Sequence, residues 1–262
     1  MEIFEQVLSQ LKEQAEAIAL RSYSPYTGRK EAVVILLEDG AMVGGVRVEN
    51  ASFQLTIPPI LNAITTSYAL QRKDLAIIVS TVPFTEAELA YTSALGPYQW
   101  ELVSPRTLVV AGAHHPDPTT FLPVSFPSDI QNAADGANCA REAAKAAFIP
   151  ESNFPVGCAI TTTSGQVVPG VNVEHPDWSQ ILCAERNALS TIITYALGDI
   201  TDVYVSCPKL PGGTPCGACR QVIVELAPKA TVWMDLDDEN PQAMKATELL
   251  PGHFTGDILK RP

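Results

Sequence analysis

The chain has 262 residues, 46% of them apolar and 18% charged: enough apolar residues for a packed core, and too few charges for a disordered chain. Its 17 basic and 29 acidic residues leave a formal net charge of −12 with no Lys/Arg cluster, which argues against nucleic acid or an anionic membrane as the main partner. No segment reaches the roughly 18 continuous apolar residues of a membrane span, and the N-terminus lacks the basic start and apolar run of a signal peptide, so a cytoplasmic location is expected.

Ile3, Phe4, Val7, Leu8, Leu11, Ala15 and Ile18 recur at helical spacing and predict an amphipathic first helix over about Glu2–Arg21. A hairpin follows, Ala32–Leu37 with Met42–Val46, turning at Glu38-Asp39-Gly40. Next come a helix near Ile57–Gln71, a buried strand Leu75–Ser80, another helix, and a strand Thr107–Ala111. The proline-rich stretch Ala113–Ser128 reads as a tail running into a linker, with His114 and His115 as linker residues. The same order then recurs. A helix over Asn132–Phe148 precedes a hairpin of Val156–Thr162 and Gln166–Val171 that turns at Thr163-Ser164-Gly165. A helix Leu182–Leu197, a strand Val203–Cys207, a helix and a strand Thr231–Asp235 complete it.

The recurrence extends to residues. At a shift of 125, Gly40, Val43, Gly45-Val46, Val48-Glu49 and Asn62-Ala63 meet Gly165, Val168, Gly170-Val171, Val173-Glu174 and Asn187-Ala188. At a shift of 128, Leu122-Pro123, Phe126 and Asp129-Ile130 meet Leu250-Pro251, Phe254 and Asp257-Ile258. Two copies of one α/β unit are therefore expected, 1–130 and 131–262.

Six cysteines in a chain of this length without a signal peptide point to metal binding or burial rather than disulfides. The second copy holds Cys183-Ala184-Glu185-Arg186 and, later, Pro215-Cys216-Gly217-Ala218-Cys219-Arg220. A Cys-x-x-Cys at a helix start puts two sulfurs on one face, and the helix N-terminus favours thiolate. With Cys183 they make three soft ligands, the number that leaves a catalytic zinc one open position. At the first turn of its own helix, Glu185 can point with Cys183 toward the same metal. A structural zinc site or buried cysteines would use the same thiols. The combination of Cys-x-Glu with a later Pro-Cys-x-x-Cys is the more specific pattern, the signature of zinc nucleobase deaminases. Cys207 sits in an apolar strand and reads as core.

These motifs, together with Phe154-Pro155-Val156-Gly157, Asn172-Val173-Glu174 and Leu250-Pro251-Gly252-His253-Phe254, resemble the cytidine deaminase family. The resemblance implies two tandem α-β-α sandwich units, each with a five-stranded mixed sheet. It implies hydrolytic deamination of cytidine and 2′-deoxycytidine in pyrimidine salvage, by zinc-bound hydroxide with Glu185 as proton shuttle. It makes Cys183, Cys216 and Cys219 the zinc ligands and Arg186 a cation bonded to the thiolates. Asn172 and Glu174 would bind the sugar 3′-hydroxyl, Phe154 would wall the base, and the N–H of Ala184 would donate to the pyrimidine carbonyl. Single-unit relatives are tetramers with shared pockets, so a homodimer of this two-unit chain is expected. Phe126, in a tail like that of the family, is expected to complete a pocket, with Phe254 as its rival. Two further readings use the same residues: a deaminase of another aminopyrimidine nucleoside, and a non-catalytic zinc protein, which would need neither Glu185 nor the ribose pair.

This chain departs from the family at His175-Pro176-Asp177-Trp178 and at Phe148-Ile149-Pro150-Glu151-Ser152, both beside the pocket mouth. The first copy lacks the chemistry. The 125 offset puts Pro58, Ile60, Leu61, Arg47 and Arg29 at the positions of Cys183, Glu185, Arg186, Asn172 and Phe154. Matching Glu101-Leu102 to Glu225-Leu226 puts Thr92 and Leu95 at Cys216 and Cys219. One zinc per chain is expected. In the best-known two-domain relatives the live half is the first; here the order is reversed.

Overall fold

The computed structural model describes residues 2–127, 129–236 and 240–260. The predicted elements form in the predicted order, with three further strands at Trp100–Ser104, Phe126–Pro127 and Gln242–Lys245. In the first half these are α1 (Glu2–Ala19), β1 (Ala32–Leu37), β2 (Met42–Val46), α2 (Pro59–Ala69), β3 (Leu75–Ser80), α3 (Glu86–Ala94), β4 (Trp100–Ser104) and β5 (Thr107–Val110). A short β6 (Phe126–Pro127) ends the linker, whose last residue, Ser128, lies outside the described residues. The second half has α4 (Ala133–Ala144), β7 (Gly157–Thr162), β8 (Gln166–Val171), α5 (Ala184–Tyr195), β9 (Ile200–Ser206), α6 (Gly217–Leu226), β10 (Thr231–Met234) and β11 (Gln242–Lys245).

Local chemistry sets the ends. Asn132 caps α4 by accepting from the N–H of Asp135 at 3.0 Å, and Asp135 accepts in return from the N–H of Asn132. α4 stops at Ala144, short of the predicted Phe148, because the N–H of Phe148 turns to the carbonyl of Asn172. The two hairpin turns hold their glycines at positive φ, +89° at Gly40 and +73° at Gly165.

The first sheet has the order β2-β1-β3-β5-β4, with every pairing antiparallel. The second has the order β11-β10-β9-β7-β8-β6 and is mixed, since β9 and β10 run parallel. It has six strands because the linker contributes β6, where Phe126 pairs with Val167 at the edge of β8. Buried Val7, Leu11, Ala15 and Ile18 seat α1 on the first sheet.

The halves share a core. Val171, Val173 and Leu182 of the second half belong to the same apolar cluster as the first sheet. α2 packs on α5, and each helix also covers the other half's hairpin. Those hairpins lie close to their own helices because of glycine. A Cβ on Gly45 would stand 2.4 Å from the Pro59 carbonyl oxygen, and one on Gly170 would stand 2.2 Å from that of Ala184. Among the described residues no helix is long and apolar enough to cross a membrane.

Candidate active site

Cys183 is the N-cap of α5 and Cys216 the N-cap of α6, both in extended backbone, and Cys219 lies buried in the first turn of α6. Two helix N-termini thus converge on three sulfurs, and their N–H groups and dipoles favour negative charge there. The Sγ atoms of Cys183 and Cys216 are 3.9 Å apart and those of Cys216 and Cys219 3.6 Å, with all three within 4.8 Å of one another. A tetrahedral zinc with Zn–S bonds near 2.3 Å separates its sulfurs by about 3.8 Å, so this donor set fits that ion. Three thiols this close share their protons unevenly. Their mutual hydrogen bonds push Cys216 far down and Cys219 well above the ordinary thiol value.

Glu185 stands in the first turn of α5, 3% exposed. Burial pushes its carboxyl up to about 6, against the lowering effect of its own backbone N–H. Arg186 is buried too. It donates to the carbonyl of Leu55 in the first half at 3.2 Å, and its Nε has no partner among the described residues.

The sulfurs and Glu185 lie in the wall of a cavity of about 430 Å³. Asn172 and Glu174 line it as well. They sit two residues apart in an extended segment bridged to Phe148 and Leu182, so both face the same way. Both are already anchored. Asn172 accepts from the N–H of Val156 at 2.8 Å and donates to the carbonyl of Phe154 at 3.0 Å. Glu174 accepts from the N–H groups of Glu151 and Ser152 and from the Ser152 hydroxyl. An amide and a carboxylate so engaged still hold unused donors or lone pairs for a ligand. Phe154 also lines the cavity. Ala184, fully buried, begins α5, where the N–H has no intrahelical acceptor.

Phe126 does not line this cavity in its own chain. It lies at the edge of β8, 49% exposed, on a separate recess beside Cys139 and Glu142. Phe254 is 52% exposed, and its carbonyl accepts from Gln221 on α6.

The structure adds to the reading of several residues here. Trp178, in the segment expected beside the pocket mouth, lines the cavity while 69% exposed. Cys207, read as core, is buried and is part of the cavity wall. His175 is buried and stacked on Tyr91 of α3, ring centres 4.9 Å apart. Arg220 clamps the loop before α6 through the Pro215 carbonyl and the Thr214 hydroxyl.

One alignment fails. Glu101-Leu102 lies in β4 and Glu225-Leu226 at the end of α6, so Thr92 and Leu95 at the far end of α3 do not correspond to Cys216 and Cys219. The extra strand β4 shifts the count. The N-cap of α3 is Thr85, with Glu88 three residues on, and these take the places of the two thiols, as Pro58 at the N-cap of α2 takes that of Cys183. Among the described residues the cysteine trio is the one cluster suited to a metal.

A family model described as the cytidine and deoxycytidylate deaminase zinc-binding region matches residues 131–235, and a second model of that description matches residues 2–95. The cytidine deaminase of Halalkalibacterium halodurans is 36% identical over 44% of this chain and 89% of its own length. That of Sporosarcina psychrophila is 31% identical over 45% and 88%. The crystal structure of cytidine deaminase from Burkholderia pseudomallei is similar at 34% identity and a TM-score of 0.42, covering 45% of this chain and 96% of that one. The chain belongs to the zinc-binding cytidine and deoxycytidylate deaminase family.

Proposed function

We propose that the second half hydrolyses cytidine and 2′-deoxycytidine to uridine and 2′-deoxyuridine with release of ammonia, as a step of pyrimidine salvage in the cytoplasm. The observation that carries this reading is a buried carboxyl, Glu185, beside three convergent sulfurs in a nucleoside-sized cavity whose wall also holds Asn172 and Glu174. Cys183, Cys216 and Cys219 hold zinc, which when bound supplies a water of lowered pKa.

The chain's residues do the rest. Glu185 takes a proton from the attacking water and gives it to ring nitrogen N3, then takes the second proton from the new C4 hydroxyl and gives it to the departing amine. One water enters and one ammonia leaves, so no further reactant is needed. Burial keeps Glu185 near the pH where it can both accept and return a proton. The Ala184 N–H donates to the pyrimidine carbonyl, Asn172 and Glu174 hold the sugar hydroxyl, and Phe154 walls the base. The unpartnered Nε of Arg186 gives the thiolates a cationic donor. The working assembly is a homodimer with one zinc per chain.

The test is turnover of cytidine, deoxycytidine, deoxycytidylate and free cytosine by the zinc-loaded chain, read as loss of cytidine absorbance. Glu185→Gln keeps zinc and fold but loses about 10²–10⁴ of turnover, the usual contribution of a general acid–base. A variant retaining more than about a tenth of wild-type activity would refute the shuttle. Equal turnover of cytosine and cytidine would refute the ribose pair.

A further inference from the structure

The first half keeps a cavity of about 420 Å³, close in size to the nucleoside cavity, where the repeat places its counterpart. The starts of α2 and α3 lie in its wall, as the starts of α5 and α6 lie in the other. In the second half that pair of helix ends faces three sulfurs. In the first, Pro58, Thr85 and Glu88 stand there instead. α3 compensates its own end with Glu86 and Glu88, and Glu88 is bound back to the N–H of Thr85 at 2.8 Å. The first turn of α2 has no acidic residue; Pro58 and Pro59 bring no N–H, so the donors this end offers are the N–H groups of Ile60 and Leu61, which have no intrahelical acceptor.

The polar lining has changed to match. Arg29 and Arg47 stand where Phe154 and Asn172 stand in the other half. Arg47 pairs with Glu49 at 3.0 Å and Glu31 at 3.4 Å, and Glu49 is the counterpart of Glu174. The counterpart of the ribose pair is therefore closed on itself, which removes the recognition of a neutral nucleoside. Arg29, exposed at the rim, has no ion-pair partner among the described residues. Tyr91 lines the cavity at 3% exposure, and its hydroxyl has no partner among the described residues. A free guanidinium beside an uncompensated helix N-terminus recognises a phosphate group.

The two cavities share a partition. In the segment from Glu174 to Cys183, Gln180 lines the first cavity, while Trp178 and Ile181 line the second. Tyr91 stacks on His175 at an interplanar angle of 17°, and His175 directly follows Glu174. A ligand that shifts Tyr91 or Gln180 thus acts on the wall that holds the nucleoside.

We propose that the first-half cavity binds a small phosphate-bearing ligand of nucleotide size, with the phosphate held by Arg29 and the first turn of α2, and that its occupancy alters nucleoside binding through residues 174–183. The test uses the zinc-loaded full chain with uridine 5′-monophosphate as probe. Binding is measured by equilibrium dialysis with saturating uridine filling the catalytic cavity. One equivalent per chain is expected, displaced by inorganic phosphate and weakened at least about tenfold in Arg29→Glu. Without the probe, Arg29→Glu turns over cytidine as the wild type does. With it, the KM for cytidine moves about fivefold in the wild type and stays fixed in the variant. Absence of binding in the presence of saturating uridine, or binding indifferent to Arg29→Glu or to phosphate, overturns the site. An unmoved KM with the probe bound overturns the coupling.

Discussion

Thr66 and Thr191 stand 125 residues apart in the chain, and their hydroxyls meet at 2.8 Å. Each is the other's counterpart in the repeat, so the local twofold axis relating the halves passes between them, as in an isologous contact. Buried amides flank it: Asn62 donates to the Thr194 hydroxyl at 2.9 Å and Asn187 to the Thr65 hydroxyl at 3.1 Å. Asn62 also donates to the Val46 carbonyl at 2.9 Å. Asn62→Ala strands those acceptors in a dry interface and is expected to cost about 1–3 kcal/mol by urea denaturation. A cost near zero would mean that the polar seam is incidental to the joining of the halves.

Gly170 and Gly45 give a matched pair of substitutions. Alanine at either forces β8 from α5 or β2 from α2, since the added Cβ would meet backbone at 2.2 or 2.3 Å. Each is expected to lower stability by about 1–3 kcal/mol, the range for overpacking. Only Gly170→Ala displaces the start of α5, where Cys183 and Glu185 sit, so zinc content and turnover should fall in that variant and not in Gly45→Ala. Equal loss of zinc in both would contradict the division of labour between the halves.

The repeat was legible because β strands and turn glycines are local signals. Ala32–Leu37, Met42–Val46 and Gln166–Val171 form as predicted, each bounded by a turn whose glycine takes positive φ. The convergence of Cys183, Cys216 and Cys219 was legible because Cys-x-Glu and Cys-x-x-Cys fix side chains within one helical turn. What failed was non-local. β6 exists because the linker reaches the edge of β8, and no residue within Phe126–Pro127 announces that partner. The burial of His175 was not legible because it comes from Tyr91, on a helix of the other half. Trp178 was placed beside the pocket mouth by its departure from the family pattern; the short helical turn Trp178–Gln180, capped by Asp177, was not read from the sequence.

That place makes Trp178 a reporter. It is exposed and lines the nucleoside cavity, so it contributes to ligand contact and little to the core. Trp178→Ala should raise the KM for cytidine while leaving the melting temperature within about 2 °C, as expected for a surface substitution of less than about 0.5 kcal/mol. Its fluorescence should change on addition of uridine to the wild type. A lowered melting temperature with an unchanged KM would assign it to packing.

Glu49 sets an acid limb of stability. Its burial would raise the carboxyl, but the hydrogen bonds from Thr27, Arg47 and Tyr26 prevail and hold it below its ordinary 4.5. A carboxylate depressed in the folded state stabilises above its unfolded pKa, and that stability is lost as pH falls through the folded value. Wild type should therefore exceed Glu49→Gln in urea midpoint at neutral pH, with the gap closing as pH drops below about 4.5. A gap that widens on acidification would contradict the sign of the shift.

The last expectation concerns assembly and the two tail phenylalanines. Neither Phe126 nor Phe254 lines the nucleoside cavity of its own chain, yet both are about half exposed, in a chain whose large apolar side chains are mostly buried. Phe126 is held out on the edge of β8 by a two-residue pairing, and Phe254 rests by its carbonyl on Gln221 of α6. An aromatic ring presented this way can serve a neighbouring copy's cavity at little conformational cost. Stacking on a base contributes about 1–3 kcal/mol, which is roughly 5- to 150-fold in affinity. If the homodimer shares its pockets, alanine at the ring that reaches the partner's base should raise the KM for cytidine within that range. The other substitution should act only on stability, through its own tail. Light scattering on the same samples should give two chains per particle. A fully active monomer, or variants that lose stability without any kinetic change, would show that each chain completes its site alone.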